Sequence, residues 1–498
     1  MSSRLSAPTL PVRPRLHGPT IHGCRPGSPF HFQIAATGDG PLSYSAESLP
    51  RGLRLDSRSG LISGALRAPG RYVTALRVDG PGGHIERVLR IECGSRLALT
   101  PPMGWNSWNC WAETVDAGHV RASAHALVST GLRARGWSHI NIDDGWQGGR
   151  SGRERALQAN EKFPDPASLC EELHSLGLRA GIYSSPWATT YAGFPGGSSD
   201  DPRGKFLTSI PEKDWWHRRA RFHAGRHSFA AADARQWAAW GFDYLKYDWF
   251  PNDLAATREM SAALRECGRD IVYSLSNNLP ISSVADTSPH AQLWRTTGDI
   301  RDVWNNCTPT TDGYQGVRDI IRHHTAFQRF QAPGAWNDPD MLVLGQVGWG
   351  EGLRPSRLTP SEQRTHFAVW CLWSAPLLIG CPLESLDPFT LGLLTHEELI
   401  DLDQDALGVQ AMIHRETADE LILCKPLENG NTAIGLINLS EKPREISVSW
   451  KHLGLPGPMH VRDLWVRRNL GGHRAKITAE IAPHDIALFC LSRESAAS

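Results

Sequence analysis

The pattern of apolar and polar positions divides the chain into three parts. In the first part, from about 21 to 95, short apolar runs alternate with turn residues, and segments 72–78 and 85–93 flank a glycine-rich turn. Two extended runs around such a turn predict a β-hairpin. In the last part, from about 405 to 493, extended runs again flank turns, as around Glu428-Asn429-Gly430-Asn431. Both ends of the chain are therefore predicted to be β-domains, the last one an antiparallel sandwich.

In the middle part, from about 101, short apolar strands alternate with helical stretches. Segment 229–240, for example, mixes apolar and polar faces and ends at Gly241, which predicts a helix. Strands are predicted at 103–109, 139–146, 179–187, 243–249, 270–278, 293–300, 334–342 and 371–380. Eight strands alternating with helices predict a (β/α)8 TIM barrel of parallel strands. The predicted fold class is a multidomain protein, with this barrel flanked by β-sandwiches.

The predicted domains are an arm at 1–20, a β-sandwich at 21–96, the barrel at 97–402 and a C-terminal β-domain at 403–498. One connection, 188–228 between the third and fourth barrel strands, is long and rich in Gly, Pro, Arg and His. Loops after barrel strands lie at the face where barrel active sites form. We therefore expect this loop to cover or reshape a site, with the pair Trp215-Trp216 as its anchor.

Charge and composition narrow the class of protein. The 498 residues contain 52 Lys and Arg against 52 Asp and Glu, so no basic excess favours nucleic acid. No apolar run of about 18 residues predicts a membrane span. The ten cysteines are scattered without a CxxC pair, which predicts free thiols. No signal peptide is visible, as expected of a cytoplasmic protein or of a secreted one whose leader has been removed. A homo-oligomer is compatible with these features.

Polar and aromatic residues stand where the predicted barrel strands end. Because the carboxyl ends of barrel strands share one mouth, these side chains are expected to lie close together. They are Trp105 and Trp108 in the first strand, Asp143 and Asp144 toward the end of the second, Tyr183 in the third, Lys246 and Asp248 in the fourth, Arg295 and Asp299 in the sixth, and Asp338 and Asp340 in the seventh.

This set of residues favours a sugar pocket over a metal site. Several Asp residues in one cleft could bind Mg²⁺ or Ca²⁺, but Lys246 and Arg295 among them disfavour a divalent cation. In a sugar pocket, carboxylates and cations bind hydroxyl groups, and two further carboxylates carry out the reaction. No metal or cofactor is predicted.

A purely structural interpretation remains open for several of these residues. Asp143, Asp144 and Asp302 could be helix N-caps. Lys246 could be a surface lysine, although the spacing of two places Lys246 and Asp248 on the same face of a strand.

Six strings in the middle part resemble glycoside hydrolase family 27, the α-galactosidase family. They are MGWNSWN at 103–109, NIDDGW at 141–146, GIYS at 181–184, YLKYD at 244–248, WRTTGDI at 294–300 and WNDPDML at 336–342. Segments 402–410 and 425–430 resemble that family's C-terminal sandwich, and 49–64 resembles the Ig-like domain of some bacterial glycosidases. The resemblance covers nearly the whole chain.

The resemblance implies a retaining exo-glycosidase that cleaves terminal α-galactosyl residues from an oligo- or polysaccharide without a cofactor. Asp248 is then the nucleophile and Asp299 the acid/base, with the two carboxyl groups about 5–5.5 Å apart. Lys246 is expected to lower the pKa of Asp248. The implied substrate-binding residues are Trp108, Asp143, Asp144, Tyr183, Lys246, Asn277, Arg295 and Asp340.

Three features depart from the family pattern. Trp249 and Tyr191 stand where many members carry two bridged cysteines, so that bridge is expected to be absent. Ser276-Asn277-Asn278 replaces the common Cys-Glu-Trp that reads position 2 of the sugar, and the loop at 188–228 is longer than usual.

These departures keep other activities open. The alternatives with the same mechanism are a β-L-arabinopyranosidase and an α-N-acetylgalactosaminidase. A silent lectin-like barrel and a metal-dependent barrel hydrolase are the alternatives from other classes.

Overall fold

The N-terminal part of the computed structural model is a β-sandwich; the structure describes residues 11–206, 222–306 and 314–493 of the chain. Its strands are β1 (Arg15–His17), β2 (Ile21–Cys24), β3 (Phe30–Gln33), β4 (Ala35–Thr37), β5 (Ser43–Glu47), β6 (Leu53–Leu55), β7 (Leu61–Gly64), β8 (Gly70–Gly80) and β9 (Gly83–Cys93). Sheets β2-β9-β8-β5 and β3-β7-β6 share one apolar core. Strands β8 and β9 pair antiparallel with Gly80 opposite Gly83, so the predicted hairpin is confirmed.

The middle part is the predicted barrel. Its strands are β10 (Met103–Asn106), β11 (His139–Asn141), β12 (Gln147–Ser151), β13 (Ala156–Ala159), β14 (Arg179–Ser184), β15 (Ser198–Ser199), β16 (His227–Ser228), β17 (Tyr244–Asp248), β18 (Val272–Ser276), β19 (Leu293–Arg295), β20 (Trp336–Asp338), β21 (Gln346–Val347), β22 (Arg354–Pro355) and β23 (Leu377–Ile379). Eight of them form one parallel sheet in the order β20-β19-β18-β17-β14-β11-β10-β23. Just after β20, Leu342 pairs in parallel with Ile379 of β23, which closes the barrel.

Helices pack between and around these strands. They are α1 (Trp108–Trp111), α2 (Ala117–Ser129), α3 (Pro166–Ser175), α4 (Ala230–Trp240), α5 (Leu254–Glu266), α6 (Val284–Thr287), α7 (Val317–His324), α8 (Pro360–Leu372), α9 (Pro388–Leu394) and α10 (Glu397–Asp403). Helix α4 ends as predicted at Gly241, whose φ of 102° lies in the left-handed region that glycine adopts without strain.

The predicted start of the eighth strand is wrong. Cys371 belongs to α8, and β23 begins only at Leu377. Every residue of α8 from Thr365 to Leu372 is buried, and so is all of β23. In an apolar run with no exposed face, periodicity alone does not separate a helix from a strand.

The C-terminal part is the predicted antiparallel sandwich. Its strands are β24 (Met412–Glu416), β25 (Glu420–Pro426), β26 (Thr432–Asn438), β27 (Arg444–Ser449), β28 (Met459–Asp463), β29 (Arg468–His473), β30 (Lys476–Ile481) and β31 (Ile486–Arg493). Six form the sheet β24-β25-β26-β31-β28-β29, and β27 pairs with β30. Apolar side chains from both sheets share a core.

The N-terminal sandwich is bound to the face of the barrel opposite the active-site mouth, where the strands begin. Arg25 Nε donates to Asp270 Oδ1 over 2.7 Å, and Arg25 Nη2 donates to the carbonyl oxygen of Arg269 over 2.6 Å. Arg15 pairs with Glu397 of α10 over 3.0 Å. These contacts hold the sandwich on the barrel floor and leave the mouth open.

The described residues also bear on the predictions made from composition. Nine cysteines are free thiols, as predicted, and Cys307 lies outside the described residues. No helix among the described residues is long and apolar enough to cross a membrane.

Candidate active site

The residues that follow β11 form one wall of the mouth. Asp143 accepts hydrogen bonds at Oδ2 from Asn106 Nδ2 and from Lys246 Nζ, each over 2.8 Å. Asp144 accepts at Oδ1 from the N–H of Gly145 and at Oδ2 from the N–H of Ala192, each over 2.9 Å. Burial raises the pKa of Asp144 to about 6. Asp144 thereby ties the loop after β14 to the end of β11.

The interpretation of three aspartates as helix N-caps is wrong. The element that follows Asp143 and Asp144 is strand β12, not a helix. Asp302 is buried and accepts hydrogen bonds from Arg354 and Arg357. The first two therefore lie at the mouth, where they accept hydrogen bonds from Asn106, Lys246 and the loop after β14, and the third pairs with arginines.

Lys246 and Asp248 both project from β17 toward the mouth. Lys246 lies opposite Tyr183 in the register of β14 and β17, and its Nζ lies 5.4 Å from the centre of the Tyr183 ring. Its ion-pair partner is Asp143 rather than Asp248, over 2.8 Å. Lys246 is thus surrounded by acids and an aromatic face, and is not a surface lysine.

The pKa of Asp248 moves in the direction opposite to the one expected. Asp248 is only 7% exposed, and burial raises its pKa to about 7. Lys246 lowers this pKa as predicted, but the charges of Asp299 and Asp143 raise it further. Burial therefore outweighs the lysine, because removing a carboxylate from water disfavours its charged form.

Asn277 contacts the predicted nucleophile. Its Nδ2 donates to Asp248 Oδ1 over 2.6 Å. Asn277 and Asn278 have φ values of 72° and 41°, a left-handed conformation that asparagine tolerates better than most residues. Asn277, which is expected to contact position 2 of the sugar, therefore also contacts the carboxylate of Asp248.

Tyr191 is a residue of the site that the sequence analysis missed. Its hydroxyl shares a hydrogen bond with Asn277, and burial together with the charges of Asp248 and Asp299 raises its pKa. Its position in the sequence could have identified it as a site residue, because it stands where family members carry a cysteine beside the site. Only the loss of a bridge was inferred from it.

Arg295 connects Asp299 to a buried carboxylate. Its Nη2 lies 3.2 Å from Asp299 Oδ1 and 2.8 Å from Asp340 Oδ2. The Asp299 side chain is 51% exposed, whereas that of Asp340 is 4% exposed. Asp340 also accepts from the N–H groups of Ile300 and Met341 over 2.8 and 2.7 Å. Asp340 therefore supports Arg295 and the backbone beside Asp299.

Asn106 is absent from the predicted site, and Asp338 is expected at the mouth but is given no role there. Both line a small cavity beneath the mouth together with Lys246 and Arg295. Asp338 Oδ1 accepts from the N–H of Asp340 over 2.8 Å, and burial raises its pKa to about 6. Each stands inside one of the six family strings, which was a signal for finding them.

The first strand provides two tryptophans with different surroundings. Trp105 is fully buried and its Nε1 donates to the carbonyl oxygen of Cys381 over 3.0 Å, so it packs in the core. Trp108 begins α1 and is half-buried. Trp108 is thus the one of the two that remains available to form a pocket wall.

The base of the long loop is an aromatic cluster. Trp187 stacks on Phe222 with ring centres 4.8 Å apart, and Tyr191 lies 5.1 Å from Phe222. The predicted anchor Trp215-Trp216 lies outside the described residues. The described part of the loop therefore brings aromatic rings to the edge of the mouth through Tyr191.

Acids, cations and aromatic rings at the carboxyl ends of barrel strands are typical of a glycoside hydrolase. Within the described ranges, no group of three or more histidine, cysteine, aspartate or glutamate side chains is arranged to hold a metal ion. The acids of the mouth are instead paired with Lys246, Arg295 and backbone N–H groups.

Family models match all three parts of the chain. The model described as "Alpha galactosidase A" matches residues 100–202 and 213–405, and the model for the alpha galactosidase C-terminal beta sandwich domain matches 419–491. An Ig domain model matches 14–91. The chain therefore belongs to the α-galactosidase family, glycoside hydrolase family 27.

Individual relatives agree with this assignment. Alpha-galactosidase 2 of Arabidopsis thaliana is 32% identical over 82% of this chain and 93% of its own length. Alpha-galactosidase A of Cellvibrio japonicus is 35% identical over 71% of this chain and 80% of its own length.

Solved structures extend the likeness to the fold. A crystal structure of a Bacteroides fragilis protein has a TM-score of 0.85 and 30% identity, and covers 98% of this chain and 100% of that one. Alpha-galactosidase I of Mortierella vinacea has a TM-score of 0.69 and 28% identity over 81% of this chain and 99% of its own. A family 27 β-L-arabinopyranosidase of Geobacillus stearothermophilus has a TM-score of 0.66 and 27% identity, over 80% of this chain and 98% of that one.

Proposed function

We propose that this protein is a retaining exo-α-galactosidase that releases terminal α-D-galactosyl residues from oligo- or polysaccharides. The observation that carries the proposal is that Asp248 and Asp299 lie at one mouth, near enough for the charge of Asp299 to raise the pKa of Asp248. Arg295 lies 3.2 Å from Asp299, and Lys246 stands on the same strand as Asp248. Two carboxyl groups facing one reactive carbon are what double displacement requires.

In the first step Asp299 donates a proton to the glycosidic oxygen while the Asp248 carboxylate attacks the anomeric carbon. The bond between that carbon and the leaving oxygen breaks, and an ester to Asp248 forms. Arg295, 3.2 Å from Asp299 Oδ1, orients the acid. Asp248 must be ionised to attack, and Lys246 and Asn277 favour its charged form.

In the second step Asp299 takes a proton from water as the water oxygen attacks the same carbon. The ester bond breaks, galactose leaves with its original anomeric configuration, and Asp248 returns as a carboxylate. Asn277 donates to this carboxylate and stabilises it as the leaving group. Asp143, Asp144, Tyr183 and Trp108 are proposed to contact the sugar hydroxyl groups and ring.

An NMR time course with p-nitrophenyl α-D-galactoside tests the proposal. We expect α-galactose as the first product, and Asp248→Asn is expected to abolish turnover while the protein stays folded. First-formed β-galactose, or near-wild-type turnover by the variant, would overturn the assignment.

A second candidate keeps the mechanism and changes the sugar. Similarity to the Geobacillus β-L-arabinopyranosidase, at 27% identity over 80% of this chain, favours this alternative. L-arabinopyranose is galactose without its C6 group, so the two sugars share most contacts. Comparing kcat/KM on p-nitrophenyl α-galactoside, β-L-arabinopyranoside and α-N-acetylgalactosaminide separates them, and we expect the galactoside to be preferred.

A further inference from the structure

A cavity of about 100 Å³ lies between the N-terminal sandwich and the face of the barrel where the strands begin. His22 and His31 line it from the sandwich, and Arg133, His139 and Arg179 line it from the barrel. This volume holds several water molecules or one small polyatomic ion. The cavity is on the opposite side of the barrel from the active-site mouth.

Arg179 is a cation without a counter-ion in this cavity. Its Nη2 donates to the carbonyl oxygen of His31 and lies 3.5 Å from His22 Nε2. Among the described residues, no carboxylate forms an ion pair with Arg179, and its Nε and Nη1 have no hydrogen-bond partner. Arg179 is half-buried and burial lowers its pKa, so an anion that matched its charge would be favoured beside it.

The nearby carboxylates are already paired. Asp243 accepts from Arg269 over 2.6 Å and contacts His174 Nε2 over 2.8 Å. Asp270 accepts from Arg25 Nε over 2.7 Å. Each acid beside the cavity therefore has a hydrogen-bonded arginine of its own. Both acids also attract Arg179, but the two of them are outnumbered by Arg25, Arg133, Arg179 and Arg269, so positive charge is in excess.

The remaining lining adds donors but no negative charge. Arg133 Nη1 donates to the carbonyl oxygen of Leu176 over 2.9 Å, and in the described part of the chain it too lacks an ion pair. Burial lowers the pKa of His31 to about 3 and that of His139 to about 4, so at neutral pH both rings are uncharged. Guanidinium groups with imidazoles beside them match the recognition of phosphate and sulfate.

We propose that this interdomain cavity binds a small tetrahedral oxyanion, with Arg179 as the main ligand and Arg133, His22 and His139 beside it. Because its walls come from two domains, the bound anion stabilises the docking of the sandwich on the barrel. The site is independent of the sugar pocket, so it does not rest on the proposed function.

Calorimetric titration and thermal melting of the full chain with inorganic phosphate, and separately with sulfate, test the proposal at constant ionic strength. We expect saturable binding and a rise in Tm with at least one anion. Arg179→Gln is expected to weaken binding by about tenfold or more, since it removes a charge-assisted contact. A preference for phosphate over sulfate, or the reverse, identifies which oxyanion the site selects.

Arg71→Gln is the matched control, because Arg71 is exposed on the same sandwich and its loss changes the net charge equally. It is expected to bind as the wild type does. If Arg179→Gln does not fold, Arg133→Gln replaces it and is expected to weaken binding in the same direction. No saturable binding up to about 10 mM anion, or equal weakening in the cavity variant and the control, means an adventitious ion only and overturns the proposal.

Discussion

Asn277 donates a 2.6 Å hydrogen bond from Nδ2 to Oδ1 of Asp248. Asn277 stands just past the end of β18, and Asp248 is the last residue of the neighbouring strand β17. The left-handed backbone at Asn277 is needed for this contact, because it turns the side chain back toward the adjacent strand. Asn277 is therefore a positioning residue for the proposed nucleophile.

Asn277→Ala is expected to lower kcat by about tenfold to a hundredfold, with a smaller effect on KM. The variant loses a hydrogen bond to a charged group, worth about 1.5–3 kcal/mol. Steady-state kinetics on p-nitrophenyl α-galactoside measure the change. Asn278→Ala is the control, because Asn278 is exposed and has the same backbone conformation. Equal losses in both variants would indicate a loop effect rather than loss of the contact with Asp248.

Tyr191→Phe is expected to lower kcat less than Asn277→Ala does. Tyr191 acts through Asn277, since its hydroxyl shares a hydrogen bond with that amide. The ring contact with Phe222 is kept in the variant, so the loop base should stay folded. In a double-mutant cycle the two substitutions should be non-additive. Additive effects on kcat would separate Tyr191 from the positioning of the nucleophile.

The sequence located the site better than it described the site's electrostatics. Strings such as YLKYD and WRTTGDI placed Asp248 and Asp299 at strand ends, where a barrel brings such residues together. The raised pKa of Asp248 depends on how deeply the closed barrel buries it. That burial cannot be predicted from the neighbouring residues in the sequence. The orientation of the Asn277 side chain toward Asp248 depends on a positive φ, and the neighbouring residues in the chain do not predict that φ. The start of β23 is not predicted correctly because the end of α8, from Thr365 to Leu372, is buried throughout and shows no polar face.

Lys246→Met is expected to move the acid limb of the pH profile to higher pH. Wild-type kcat/KM should rise through about pH 7 as Asp248 loses its proton. Lys246 lowers this pKa, so its removal should raise the limb by about one pH unit. The pH dependence of kcat/KM measures this shift separately from any loss of sugar binding. Lys451→Gln, an equal charge change at an exposed site, should leave the limb in place.

Asp340→Asn is expected to weaken acid catalysis by Asp299. The variant removes the buried carboxylate that pairs with Arg295 over 2.8 Å and so loosens the guanidinium beside Asp299. Proton donation matters most for poor leaving groups, so kcat/KM should fall about tenfold or more for methyl α-galactoside. The loss should be smaller for p-nitrophenyl α-galactoside, which leaves without full protonation. Equal losses on both substrates would assign Asp340 to binding alone.

Asp248→Asn is expected to raise thermal stability at pH 8 although it abolishes turnover. The folded-state pKa of Asp248, about 7, lies above its unfolded value, so the folded protein holds a proton that the unfolded chain has lost between about pH 4 and 7. Stability contributed by this group is therefore present below pH 4 and is lost as pH rises through 7.

The neutral amide of Asp248→Asn keeps the Asn277 contact and does not ionise, so the variant should melt a few degrees higher than the wild type at pH 8. At pH 4 the two proteins should melt together, and Asp39→Asn, at an exposed aspartate, should match the wild type at both pH values. A lower Tm for Asp248→Asn at pH 8 would mean that the ionised carboxylate is stabilised by its neighbours rather than strained by burial.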